Sequence, residues 1–314
     1  MVFNLRFRVS PAKAPEAPKK KQMEPINETA SAVLLSLDQM PNWFRHDSNE
    51  WILYGYRDIS GSFQACLCSL LYIHNESVNI YSHLIPAVSS LLGQQYLASR
   101  YSGVTSADFT PVSIFMLTAV ACLSLSTTYH TLMNHSKRMG QLCLQLDMLG
   151  VVIFVLGGLM LGIYMVFWCE PLLRNIYWSM SGAFGALTIF VIMHSEFQGP
   201  KYRLLRTLMF VATGLSGVVS LIHGINIFGM SQMMNKAFPY TLAKAGCLLL
   251  GTFFYVVTVL KTRFPESLYP GKFDLCGSHS IFHILVVCAF VVQLIGYLDA
   301  FDFANTNLTC STLF

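Results

Sequence analysis

The chain has 314 residues, of which 54% are hydrophobic and only 11% are charged, and its formal net charge is +4. Soluble domains carry about 25% charged residues, so this chain has too few charged groups to cover the surface of a soluble fold of its size. Its apolar content is in turn too high for a disordered chain. The chain has only 21 glycines and 12 prolines, which excludes a collagen-like or low-complexity chain. The composition therefore predicts an all-α membrane protein with several spanning helices.

The N-terminal region is predicted to be a disordered cytoplasmic tail covering residues 1–48. Four prolines surround the run Lys19-Lys20-Lys21, and such a segment cannot bury enough apolar surface to fold. The first 25 residues contain no apolar core of a cleaved secretory signal, so the first spanning helix is expected to target the chain to the membrane.

Residues 49–77 are predicted to form a juxtamembrane segment with one interfacial helix. Phe63–Ile73 is apolar but has only 11 residues. A bilayer requires roughly 20 residues of helix, so this stretch is expected to lie on the membrane surface. Cys66 and Cys68 within it are either acylated or, on the alternative interpretation, buried and unmodified.

Seven apolar stretches of spanning length follow and predict a seven-transmembrane helix bundle over residues 78–298. The loops between them are short, which leaves no room for a soluble insertion. A short extracytoplasmic tail of residues 299–314 remains. The predicted spans are Val78–Leu97, Pro111–Met133, Gln141–Val166, Ile176–His194, Leu204–Phe228, Thr241–Leu260 and His279–Leu298.

The distribution of lysine and arginine predicts the orientation of this bundle. Sixteen of these residues lie before the first span or in loops on the same side of the membrane. The opposite side holds Arg100, Arg174 and Lys236, with Lys244 at the outer end of the sixth span. Because positive charge marks the cytoplasmic side, the N-terminus is predicted to be cytoplasmic and the C-terminus extracytoplasmic.

The nine cysteines predict neither a disulfide framework nor a thiolate zinc site. Their number is odd, no Cys-x-x-Cys pair occurs, and most lie in or beside apolar stretches.

Four ligand-type side chains from three predicted spans lie at one depth near the cytoplasmic side. They are His130 of the second span, Asp147 of the third, and His279 and His283 of the seventh. At about 1.5 Å per residue, all four are within roughly 10 Å of the inner boundary. Ionisable groups inside a membrane are costly, so this coincidence of depth indicates a functional site.

The spacing of these residues predicts a metal centre. His279 and His283 are four residues apart and therefore share a helix face, as do Ser126 and His130. Three imidazoles leave one open position on a tetrahedral Zn²⁺, where Asp147 could orient a water and act as base. The alternatives are histidines that only contact headgroups or carbonyls, which is the favoured interpretation for His194, and packing or supporting roles for His83 and His223.

The chain resembles the progestin and adipoQ receptor family, which includes adiponectin receptors, fungal Izh proteins and haemolysin III-type proteins. The resemblance runs from about Pro41 to Leu298. It is carried by Gly55-Tyr56-Arg57, His74 to His83, Ser126 to Thr131, Leu146-Asp147, Gly214 to Val219, Pro270 to Asp274 and His279 to His283. The sequence departs from many relatives at Ser77, Tyr81 and Ser82.

The resemblance implies seven helices, a cytoplasmic N-terminus, and a zinc held by His130, His279 and His283 with Ser126 and Asp147 close by. It further implies lipid and metal homeostasis signalling and hydrolysis of a ceramide-like lipid amide, for which Asp147 and Ser126 are the catalytic candidates. Two alternatives stay open, a non-enzymatic receptor with a structural zinc and, more weakly, a zinc transporter. The expected partners are membrane lipids rather than nucleic acid, and the expected location is the plasma membrane or the endoplasmic reticulum membrane.

Overall fold

The computed structural model describes residues 34–45, 49–101, 106–197, 200–259, 264–308 and 310. Within these ranges the regular structure is helical, apart from one isolated antiparallel bridge between Leu35 and Tyr56. Of the predicted disordered tail, residues 34–45 are described, and they include a 3₁₀ turn at Leu37–Gln39 and the buried side chains of Met40 and Phe44. The rest of the predicted tail lies outside the described residues.

One short helix and seven long ones make up the fold. The short helix, α1, spans Phe63–Cys68. The long helices are α2 (Ser77–Arg100), α3 (Ser106–Leu132), α4 (Lys137–Val166), α5 (Pro171–Met193), α6 (Arg203–Asn235), α7 (Phe238–Val259) and α8 (Ser278–Asn307).

The all-α, seven-helix membrane architecture expected from the sequence is confirmed. Among the described residues, α3, α4, α5, α6 and α8 are long and apolar enough to cross a membrane. The remaining two, α2 and α7, have 24 and 22 residues. At about 1.5 Å per residue, the lengths of both helices also exceed the thickness of a hydrocarbon core, about 30 Å.

Helices α3, α4 and α8 meet around a cluster of buried aromatic rings. Phe115 of α3 lies 5.9 Å from Phe154 of α4 and 5.6 Å from Phe290 of α8, measured between ring centroids. Tyr297 of α8 packs edge-on against Phe115 at 5.6 Å. Because the same three helices carry the candidate site residues, this aromatic packing fixes their relative positions.

The interfacial helix is shorter than predicted. The sequence pattern indicated one helix over Phe63–Ile73, whereas α1 ends at Cys68 and a single 3₁₀ turn, Ser69–Leu71, follows. Cys66 and Ser69 face the protein, and Leu67 and Leu71 remain exposed. The segment therefore presents an apolar side outward, as a helix on a membrane surface requires.

α6 and α8 extend furthest beyond their predicted ends. α6 continues past Phe228 through a kink at Gly229, whose φ of 75° and ψ of 160° interrupt the helical conformation. Glycine adopts a positive φ without the steric cost that a Cβ would impose, so the kink falls where the sequence allows it. α8 continues past Leu298 to Asn307, into the segment predicted to be a tail.

The cysteines were expected to form no disulfide framework, and among the described residues one disulfide is nevertheless present. Cys169, between α4 and α5, is bonded to Cys310, which follows α8. The sequence argument relied on local cysteine spacing, and these two residues are 141 positions apart. Only the packing of the helices brings the ends of α4 and α8 together.

The segment before α1 is hydrogen-bonded to the segment that precedes α8. The carboxylate of Asp274 accepts hydrogen bonds from the backbone N–H groups of Leu53 and Tyr54, each at 2.9 Å. The N–H of Gly271 donates to the carbonyl of Trp51 at 3.4 Å. These bonds join residues about 220 positions apart beneath the helix ends that carry the candidate site.

Candidate metal centre

Helix ends place the three candidate histidine ligands. α3 ends at Leu132, so His130 lies in its last turn, and α8 begins at Ser278, so His279 and His283 occupy its first two turns. The start of α8 is fixed by the buried Glu266, whose Oε1 accepts from the Ser278 N–H at 2.5 Å and from its hydroxyl at 2.8 Å. A carboxylate at a helix N-terminus satisfies free N–H groups and favours the helix dipole.

The three imidazoles converge through their Nε2 atoms. His279 Nε2 lies 3.4 Å from His130 Nε2 and 3.1 Å from His283 Nε2. One ring nitrogen from each histidine lies within 4.8 Å of the others, and His130 and His283 are each 2% exposed. The predicted juxtaposition of these three residues is therefore present in the fold.

This arrangement suits a cation better than hydrogen bonds among the rings. Each neutral imidazole has one N–H donor and one lone-pair acceptor. If both His130 and His283 direct their outer N–H groups elsewhere, their Nε2 atoms carry lone pairs, and a neutral His279 can donate its single N–H to only one of them. A metal ion at their centre would accept all three lone pairs, which makes the group a candidate metal centre.

The outer ring nitrogens do have acceptors elsewhere. His130 Nδ1 donates to Glu76 Oε2 at 2.7 Å, and His283 Nδ1 lies 3.3 Å from the backbone carbonyl of Asn79. Such bonds fix the tautomer and leave the Nε2 lone pair for a metal. Two ligand orientations are thus set by residues at the start of α2.

Glu76 is held as a carboxylate. It lies just before α2, and Asn79 Nδ2 donates to its Oε2 at 2.7 Å. Burial opposes its ionisation, but the hydrogen bonds from His130 and Asn79 and the charge of Arg57 keep the pKa of Glu76 well below its usual range. A charged acceptor strengthens the hydrogen bond to His130 and increases the basicity of its Nε2.

Asp147 and Ser126 lie beside the centre without joining the group of candidate ligands. The Asp147 carboxyl, on α4, interacts electrostatically with His130 and lies close to Ser126. The Ser126 hydroxyl is buried beside this carboxyl and makes no hydrogen bond of good geometry in the part of the chain that the structure describes. Asp147 is therefore near His130, and Ser126 lies one helical turn before His130 on the same face of α3.

Two other histidines of the predicted spans lie apart from the centre. His223 Nδ1 is 2.7 Å from the hydroxyl of Tyr177, which joins α6 to α5. His194 caps the C-terminus of α5 and packs against Phe190 and Phe197. The structure therefore gives His223 a role between helices and leaves His194 at a helix end, as the favoured sequence interpretation held.

Glu76 is the supporting residue that the sequence reasoning missed. It belongs to the stretch from His74 to His83 that carried the family resemblance, yet it lies just outside the predicted first span. Its position could have identified it. Glu76 directly precedes the first spanning helix and His130 lies near the end of the second, so the two residues are at the same membrane depth.

Comparison with known proteins agrees with this architecture. The family model described as "Haemolysin-III related" matches residues 71–294. ADIPOR-like receptor IZH2 of Saccharomyces cerevisiae is 33% identical over 281 residues, which cover 88% of this chain and 86% of that protein.

Two further relatives come from an animal and a plant. The adiponectin receptor protein of Drosophila melanogaster is 34% identical over 82% of this chain, and the match spans 57% of that longer protein. Heptahelical transmembrane protein ADIPOR1 of Oryza sativa is 31% identical over 81% of this chain and 80% of its own length.

Proposed function

Because the chain belongs to the haemolysin-III related family, with adiponectin-receptor-like and Izh-like relatives, we propose that it is a zinc-dependent hydrolase of lipid amides. The convergence of three imidazole nitrogens at the ends of α3 and α8 carries this proposal. The relatives' names describe receptors, so hydrolysis is proposed here as the chemistry that underlies a signalling role.

The spacing of the nitrogens supports zinc as the metal. Zinc binds imidazole nitrogen at about 2.0–2.1 Å, so two ligands at a tetrahedral angle are about 3.3–3.4 Å apart. The distances of 3.1 and 3.4 Å between Nε2 atoms are close to this value. When bound by three imidazoles, zinc would lower the pKa of a coordinated water from 15.7 to about 7 and polarise a carbonyl group.

The residues around the centre supply the remaining functions of an amide hydrolase. Asp147 would accept a proton from the attacking water, whose oxygen bonds to the amide carbon. The same proton would then pass to the amide nitrogen as the C–N bond breaks, releasing a fatty acid and an amine. Ser126 would donate a hydrogen bond to the substrate, since its hydroxyl is buried and makes no hydrogen bond of good geometry among the described residues.

The interior packing limits how a long acyl chain could bind. In the described part of the chain, the apolar gap between α3, α4 and α8, deeper in the bundle than the histidines and lined in part by Cys122, Phe154 and Val286, has no room for even a water molecule. Typical ligand pockets measure roughly 300–1,000 Å³. An acyl chain would therefore have to separate these helices or remain partly in the lipid.

The close packing of these helices also favours a second function, that of a receptor in which zinc only ties α3 to α8. The two functions make different predictions for Asp147, which on the hydrolase proposal would contact the metal's water and not the metal. An enzyme needs the basicity of this carboxylate, whereas a structural centre needs only the histidines.

The test compares Asp147→Asn with wild type in two measurements on one purified sample. Metal analysis should give about one zinc per chain for both proteins. Release of fatty acid from a ceramide in detergent micelles should fall about 10²–10⁴-fold in the variant. If the variant loses zinc together with hydrolysis, Asp147 is a metal ligand and the structural function is favoured. If the wild-type protein contains zinc but hydrolyses no ceramide, the enzymatic function is refuted.

A further inference from the structure

A fourth histidine, His83, lies against the candidate metal centre without belonging to the group of ligands. Glu76, Asn79 and His83 recur at spacings of three and four residues, which places them on one side of α2. Glu76 supports His130, and the carbonyl of Asn79 supports His283. The third member of this row, His83, is 3% exposed.

The ring nitrogens of His83 make no hydrogen bond of good geometry among the described residues, although the ring lies close to the backbone of His283. Both Nδ1 and Nε2 are buried. A buried donor or acceptor left unsatisfied costs about 1–3 kcal/mol, so buried polar groups are nearly always paired with protein, water or a ligand. Two unpaired nitrogens on one side chain therefore point to a group that the protein chain does not supply.

The aromatic contact of His83 does not explain a histidine at this position. Its ring is stacked on that of His283, with centroids 3.9 Å apart and planes inclined by 12°. A phenylalanine would stack equally well and would leave no nitrogen unpaired. The requirement for a histidine must come from its N–H donor and its acceptor.

The same stacking excludes His83 as a further ligand to the ion held by His283. An imidazole coordinates in the plane of its ring, so an ion bound by His283 lies in the plane of that ring. Two nearly parallel planes 3.9 Å apart at their centroids cannot share that ion. A ligand atom beside the ion that lies in the plane of the His83 ring would be able to accept a hydrogen bond from it.

We propose that His83 donates a hydrogen bond to the oxygen of a carbonyl-type ligand bound at the centre formed by His130, His279 and His283. Its imidazole N–H would complement an amide or carboxylate oxygen, which has lone pairs and no proton to offer. This inference rests on the proposed function and identifies His83 as the residue that recognises the polar group of the lipid amide.

The experiment measures ligand binding separately from hydrolysis. The protein is loaded with Co²⁺, and the visible absorption of the metal is titrated with octanohydroxamic acid, a carbonyl-containing metal ligand. His83→Phe keeps the stacked ring and removes both nitrogens, and His83→Gln keeps a donor and an acceptor. His194→Phe, the same change at a distant helix end, is the matched control.

We expect the Kd for the hydroxamate to rise about tenfold in His83→Phe. It should stay within about threefold of wild type in His83→Gln and be unchanged in His194→Phe, with equal cobalt content in all four proteins. His83→Met, which should show the same rise, replaces the Phe variant if that protein does not fold.

Unchanged affinity in the apolar variants would make His83 a packing residue and overturn the proposal. Loss of cobalt from them would also overturn it, because His83 would then support the ligand His283. If the hydroxamate binds in a His83-dependent manner while wild-type protein hydrolyses no ceramide, the recognition role stands and the hydrolase function fails.

Discussion

The guanidinium of Arg57 donates from Nη2 to the backbone carbonyl of His130 at 2.6 Å. Its Nη1 donates to the carbonyl of Thr131 at 3.0 Å and to the hydroxyl of Ser69 at 2.8 Å. These carbonyls belong to the last turn of α3, which has no intrahelical donors for them, and a cation there also favours the helix dipole. A buried residue of the segment before α1 thus holds the helix end that carries a candidate ligand.

Replacing Arg57 should destabilise the protein. Arg57→Met keeps an aliphatic stem but leaves two carbonyls and a hydroxyl without their donor. We expect the free energy of unfolding to fall by about 2–5 kcal/mol, since each buried group left unsatisfied costs about 1–3 kcal/mol. Thermal unfolding in detergent measures the effect. Arg100→Met is the control, because Arg100 forms an exposed ion pair with Asp302 at 3.9 Å and an exposed cation–π contact with Tyr101, and its loss should change little.

The histidines of α8 should be required for metal binding. His279→Ala and His283→Ala each leave two imidazoles, too few to hold a tetrahedral ion securely. We expect metal analysis to show most of the zinc lost from each variant and all of it from the double variant. His194→Ala should retain it. Full occupancy in the double variant would show that the metal is held elsewhere.

Glu76 should increase the affinity of the centre without contacting the metal. Glu76→Gln keeps the shape of the side chain but removes the charge that strengthens the bond from His130. Loss of such a supporting carboxylate typically weakens metal binding 10- to 100-fold. Competition with a chelator of known affinity measures the change, and Glu50→Gln, at an exposed position, is the control. Equal affinity in the two variants would show that Glu76 only packs against α3.

The disulfide provides a test of orientation that is independent of charge. Disulfides persist in oxidising compartments, so Cys169 and Cys310 are expected on the extracytoplasmic side. In sealed vesicles, a membrane-impermeant reductant followed by an impermeant maleimide should label this pair only from that side. A tag at residue 1 should be digested from the opposite side. Labelling of the pair and digestion of the tag from one side would contradict the predicted topology.

The sequence predicted the architecture and the three histidines because both depend on simple regularities. Spanning helices need long apolar stretches, and His279 and His283 are joined by the four-residue period of a helix. His130 could be added because helix direction and membrane depth constrain it.

The supporting contacts could not be predicted because they depend on how helices pack sideways. Glu76 reaches His130 across 54 positions, and Arg57 reaches its carbonyl across 73. The disulfide between Cys169 and Cys310 spans 141 positions. No local sequence pattern encodes contacts over such separations. The helical periodicity of a segment shows which residues share a helix face, but not which neighbouring helix that face contacts.

The order of the helices along the chain has a consequence for biosynthesis. α8 follows every other described helix, and it carries two of the three candidate ligands. During translation, the centre is therefore still incomplete when Arg57, Glu76 and His130 have been synthesised. The contact of Asp274 with residues 53 and 54 also forms late. Loading of the metal would then be one of the last steps of maturation, and a chain arrested before α8 should leave the ribosome without it.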